Sequence, residues 1–137
     1  MKFLPIAIAL TLLPIPVTAQ SKPPTNTISG QLKLIASGIN GTDDNCYGTG
    51  KFRDLTGLMP VIIKDEQGKI IATGYTGFGK RPTEHRTVIC IFTFRIQDVP
   101  ESKFYSIAIS DRGTVILSRQ ELIDMNWEAK FVLTPSR

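Results

Sequence analysis

His85 is the only histidine in the chain, so imidazole-based acid–base chemistry or a zinc site of the usual kind rests on it alone. It stands in Lys80-Arg81-Pro82-Thr83-Glu84-His85-Arg86, a short basic stretch that follows Tyr75 and Phe78. Cations beside aromatic rings suit an acidic ligand, which makes Tyr75, Phe78, Lys80, Arg81, His85 and Arg86 the leading candidate binding residues. The run Gly74-Tyr75-Thr76-Gly77-Phe78-Gly79-Lys80 also meets the first seven positions of a phosphate-binding loop. Arg81 stands where that loop requires Ser or Thr, and Pro82 follows where a helix should open, so a glycine-rich turn is the expectation. Asp43, Asp44 and Asn45 offer three oxygen-bearing side chains of the type calcium accepts, without the spaced ligands or closing glutamate of an EF-hand. No Gly-x-Ser-x-Gly elbow occurs, and no catalytic residue, metal ion or cofactor is assigned.

The remaining reactive side chains are Cys46 and Cys90. Neither belongs to a Cys-x-x-Cys pair or adjoins a histidine, and each has only the other to bond with. Their expected state is a structural disulfide, which needs an oxidising compartment. Residues 1–19 supply the route. Lys2 precedes an apolar run that ends in Val17-Thr18-Ala19, the layout of a secretory signal peptide cleaved after Ala19. Pro5, Pro14 and Pro16 interrupt the run, which is too short between prolines to span a bilayer. The expected product is secreted or periplasmic, with no membrane span after cleavage. Asn40-Gly41-Thr42 is a glycosylation sequon, relevant in a eukaryotic secretory pathway.

The full chain has 137 residues, 42% hydrophobic and 20% charged, with net charge +4. This composition can bury one core and excludes a disordered polyelectrolyte. The small charge excess gives no ground for a nucleic-acid partner.

The elements that must position these residues are strands. Gln20–Thr27 is polar and proline-rich and is expected to be a flexible leader, with the fold beginning near Ile28. Ile28, Gly30, Leu32 and Leu34 alternate with polar positions in a half-buried strand. Residues 36–58 carry five glycines and suggest a long loop with a short strand at Gly48–Phe52. Residues 60–65 and 70–75 flank Glu66-Gln67-Gly68-Lys69 as a hairpin. In 87–96 the parity of Val88, Phe92, Phe94 and Ile96 carries Cys90 into the core. Residues 98–102 are expected to connect that strand to one at 104–110, and Asp111-Arg112-Gly113 turns the chain into 114–117. Ser118 and Glu121 form a capping box for a helix at about 119–125, after which Trp127, Ala129, Phe131 and Leu133 share one face of a last strand. About seven strands in this arrangement predict an all-β Greek-key sandwich, a single domain over 28–137 with one short helix before the last strand.

The stretch Val61–Gly74, followed by Phe92–Pro100 and Tyr105-Ser106-Ile107, resembles Greek-key sandwiches of the prealbumin-like and carboxypeptidase-regulatory type. Residues 28–134 are also similar to small secreted bacterial proteins of unassigned function. The shared features are Cys46 to Gly50, Asp65 to Lys69, Arg112-Gly113, Ser118 to Leu122, and Trp127. The resemblance implies fold and compartment and supplies no catalytic residue. The resulting expectation is a non-enzymatic binding or envelope-associated module that takes a protein or a small anionic ligand. A small secreted hydrolase, or an inhibitor presenting a loop, is the alternative.

Overall fold

The computed structural model describes residues 2–16 and 24–135. Residues 2–16 hold neither helix nor strand and are exposed. The expected cleavage after Ala19 and the first part of the expected leader, residues 20–23, lie outside the described residues.

Nine strands and one helix follow: β1 (Thr25–Ile35), β2 (Asn40–Thr42), β3 (Asn45–Tyr47), β4 (Pro60–Lys64), β5 (Ile70–Tyr75), β6 (Ile89–Pro100), β7 (Phe104–Ile109), β8 (Thr114–Ser118), α1 (Arg119–Asp124) and β9 (Glu128–Leu133). One sheet has the order β6-β1-β9, with β1 antiparallel to β6 and parallel to β9. The other has the order β5-β4-β7-β8 and is antiparallel throughout. The chain leaves the first sheet after β1, returns at β6, leaves again for β7 and β8 and returns at β9, so the connections out of β1 and β6 both cross between the sheets of a Greek-key sandwich.

The inward rows are the ones the alternation marks. Ile28, Leu32 and Leu34 of β1 and Cys90, Phe92, Phe94 and Ile96 of β6 meet Val61, Ile63, Tyr105, Ile107 and Ile109 from the opposite sheet, all buried. Gly30 is needed where Phe94 crosses β1, because a Cβ there would stand 2.3 Å from the Phe94 ring.

Three expectations change. β1 begins at Thr25, three residues early, because its Thr25 and Asn26 pair with Pro100 and Val99 of β6. β6 itself runs on through Asp98-Val99-Pro100, where a connection was expected. Asp98 takes a left-handed φ of 57° and the register slips between Asn26 and Ile28, a bulge that turns Val99 back into the core. Finally, residues 36–58 contain the β2–β3 hairpin, and Gly50–Phe52 is a 3-10 turn rather than a strand.

The tight connections follow their side chains. Asp65 Oδ1 accepts from the backbone N–H of Gln67 and Lys69, which closes the β4–β5 turn. Tyr105 Oη accepts from Ser102 N–H three residues upstream at 2.9 Å, a corner found in Greek-key sandwiches. Ser118 Oγ accepts from Glu121 N–H and starts α1. Trp127 precedes β9, half-buried, with its ring edge-on to Tyr105 at 6.0 Å.

Candidate functional site

The basic stretch does not form a free loop. After β5 the chain crosses to the other sheet and runs beside β6: Gly77 N–H donates to Thr93 C=O at 2.8 Å, and Lys80 and Ile91 exchange both backbone bonds. On the far side of this strap, Cys46 N–H of β3 donates to Gly79 C=O at 2.9 Å. Residues 77–80 therefore join the β2–β3 hairpin to the edge of β6. The disulfide Cys46–Cys90 follows the same route, with Cα atoms 5.9 Å apart. It passes over Gly79, where a Cβ would lie 2.5 Å from Cys90 Sγ and 2.3 Å from Cys46 O. That position excludes any side chain.

The expected anion cluster is divided by this arrangement. Arg81 turns its guanidinium inward, donating to the carbonyls of Arg86, Ile39 and Gly41, and its own N–H donates to Asp43 C=O. Arg86 pairs with Asp43, whose carboxyl it holds below the ordinary aspartate range by a side-chain hydrogen bond. Two of the four cationic candidates thus fasten the hairpin to the strap. Lys80 and His85 are exposed, and His85 adopts a left-handed φ of 56°. Tyr75 and Phe78 are also exposed, at 70% and 49%. Phe78 lies beside Gly57 and the exposed Leu58, a short apolar step at this end of the sandwich.

Asp43 and Asp44 form the two-residue turn between Thr42 and Asn45, so their acidity belongs to a hairpin tip whose first carboxylate already has a partner. Among the described residues, no group of three or more His, Cys, Asp or Glu side chains could hold a metal ion. The phosphate-loop look-alike ends in the strap beside β6 and opens no helix, as its sequence context implied.

An open hollow of about 570 Å³, lined by residues such as Glu66, Ser102 and Arg119, lies at the other end, between the β4–β5 turn and the start of α1. Ser102 Oγ contacts the Glu66 carboxylate and the Phe104 carbonyl, and Arg119 pairs with Glu101 at 2.8 Å. The Ser102 hydroxyl holds the Glu66 carboxyl below its ordinary value, which makes it a poor proton acceptor near neutrality. These contacts tie two turns together.

A comparable tie holds the 3-10 turn. Arg112 pairs with Asp54 while its guanidinium lies 5.2 Å from the centre of the Phe52 ring. The Arg112 hydrogen bond depresses the Asp54 carboxyl. A carboxyl lowered by folding contributes stability above its unfolded value and loses it as pH falls through the folded value. The expected result is a urea midpoint for Asp54→Asn below that of the parent at neutral pH, converging with it as the medium is acidified past the folded value. With Asp54 43% exposed, the difference stays within about 1 kcal/mol.

The least expected surface is the outer face of the four-stranded sheet. Its outward positions are Pro60, Ile62 and Lys64 on β4, Ile70, Thr73 and Tyr75 on β5, Phe104, Ser106 and Ala108 on β7, and Thr114, Ile116 and Ser118 on β8. Lys64 alone among these described positions is charged. Ile70, Tyr75, Phe104 and Ile116 are exposed at 53%, 70%, 49% and 68%. The outer face of the other sheet carries Lys33, Arg95, Glu128 and Lys130 instead. Tyr75 therefore belongs to a sheet face and only borders the basic stretch. The signal that could have found this face is the missing charge at every second residue of four neighbouring strands. No family model, no curated protein and no solved structure matches this chain.

Proposed function

We propose that this chain is an exported, non-enzymatic binding module that recognises a protein partner through the outer face of its β5-β4-β7-β8 sheet. One observation carries the reading: that face is broad and almost uncharged, with Ile70, Tyr75, Phe104 and Ile116 in water, while the opposite face of the sandwich carries charges of both signs. Exposed apolar surface of this extent costs solubility unless something covers it, and a flat face suits a protein better than a small molecule. A small anion is the weaker alternative, because Arg81 and Arg86 already serve the hairpin. Export is supported by the Cys46–Cys90 bond and the N-terminal Lys-apolar-Ala pattern.

Two measurements test this reading. Intact mass of the exported protein is expected to show loss of residues 1–19 and alkylation of two thiols only after reduction. Free thiols in the native protein would overturn the export half. A photo-crosslinking side chain introduced at Tyr75 and, separately, at Phe104 is expected to capture the same envelope or extracellular protein, and one introduced at Lys33 on the opposite face to capture none. Equal capture from both faces, or none from either, would remove the binding half.

A further inference from the structure

The sandwich is closed along one side and open along the other. On the closed side, residues 77–80 run along β6 and satisfy part of its free edge. On the open side, among the described residues, β8 pairs with β7 alone and β9 with β1 alone. The two open edges differ in chemistry. β9 carries Glu128 and Lys130, charges of the kind that discourage further pairing. β8 is Thr114-Val115-Ile116-Leu117-Ser118, with no charge, proline or glycine, and its pairing with β7 has no bulge.

Its free hydrogen-bonding groups can be assigned. Arg119 N–H donates to Lys103 C=O, and the β7–β8 register places 103 opposite 119. Bonding alternates in an antiparallel pair, so Leu117 and Val115 face β7 while the main-chain groups of Ser118, Ile116 and Thr114 point to the open side. Ser118 C=O is taken by the first turn of α1. The main-chain groups of Ile116, with Ser118 N–H and Thr114 C=O, have no hydrogen-bond partner among the described residues.

We infer that β8 pairs antiparallel with β8 of a second copy of this chain, about a two-fold axis at Ile116. The strand is chemically palindromic about that residue: Thr114 comes opposite Ser118 of the partner subunit, and Val115 opposite Leu117 of the partner subunit. Ile116 meets its own copy. Because the strand is uncharged, self-pairing brings no like charges together, and aliphatic and hydroxyl cross-strand pairs are favourable. Four main-chain bonds form, two between the Ile116 residues and two from Ser118 N–H to Thr114 C=O. The 68% exposure of Ile116 at the centre of the strand is reduced at the same time. A strip this short buries less than the roughly 1,200 Å² of a standard interface, so the dimer is weak, populated between about 10 µM and about 1 mM. The inference shares Ile116 with the proposed binding face but rests on the main-chain edge of β8, and its tests read self-association rather than capture of a partner.

Sedimentation velocity on the mature, oxidised protein tests it. The expected mass rises from monomer towards dimer across that concentration range, and Ile116→Lys weakens the association at least about tenfold while leaving the urea midpoint unchanged. Ile116→Cys provides a second readout. In a hydrogen-bonded pair the two Cα atoms lie about 5.5 Å apart, inside the roughly 4.4–6.8 Å that a disulfide spans. This variant is expected to form a reducible covalent dimer, while Lys33→Cys on the opposite sheet does not. A chain that stays monomeric at 1 mM, a dimer indifferent to Ile116→Lys, or equal cross-linking from both cysteine variants would overturn the assignment.

Discussion

Replacing both cysteines, Cys46→Ala with Cys90→Ala, is expected to lower the unfolding free energy by about 4 kcal/mol, measured by urea denaturation of the oxidised parent against the double variant. The bond spans 44 positions of sequence, and chain entropy assigns about that value to a loop of this length. Native contacts add to the loss, since both cysteines are fully buried and the β2–β3 hairpin makes few other connections to the sandwich. What remains after removal is the Cys46–Gly79 bridge, Arg81 and the Arg86–Asp43 pair, of which the last is exposed. Small domains have a total stability of only about 5–15 kcal/mol, so the variant stands close to its folding limit. A loss below about 1 kcal/mol would show that the hairpin holds its place without the covalent link.

Phe92→Ala is expected to cost about 3–5 kcal/mol by the same measurement, because the ring is fully buried between the sheets and its loss leaves a cavity that neighbouring strands cannot fill. The site is rigid for a specific reason. Gly79 lies against both the Phe92 ring and Cys90 Sγ, so the strap above the ring is pinned by the disulfide and cannot collapse into the space. The two substitutions share neighbours and are therefore expected not to add. Combined, they should cost less than the sum, since freeing the strap lets it settle into the cavity. Strict additivity would mean that the strap does not move.

The alternation in β1, β6 and β7 and the cap at Ser118 were legible in the sequence because each depends on neighbours in the chain. A period of two and a serine three residues before a glutamate carry their meaning locally. The disulfide was legible for a different reason, since two cysteines admit one pairing. What escaped was set by contacts distant in sequence. β6 continues past the bulge at Asp98 only because β1 offers partners to Val99 and Pro100, and Arg81 reaches carbonyls about forty residues away. A run of basic residues therefore resembled an anion site until the hairpin it fastens was in place. The nearly uncharged outer face escaped too, because it is assembled from alternate residues of two hairpins that β6 separates in the sequence.

The covalent link between β3 and β6 also determines how the molecule would carry a load. Once the β1–β9 pairing gives way, tension applied through the first and last strands passes along β1 to Cys46, crosses the sulfur bond to Cys90 and continues through β6 towards β9. The β4–β5 hairpin lies wholly within the bypassed segment and bears no force until the bond is reduced. At a reach of about 3.5 Å per residue, the 44-position span hides roughly 150 Å of extension. An oxidised module tethered at both ends would thus behave as a short, stiff link, and reduction would convert it into one that lengthens under the same pull.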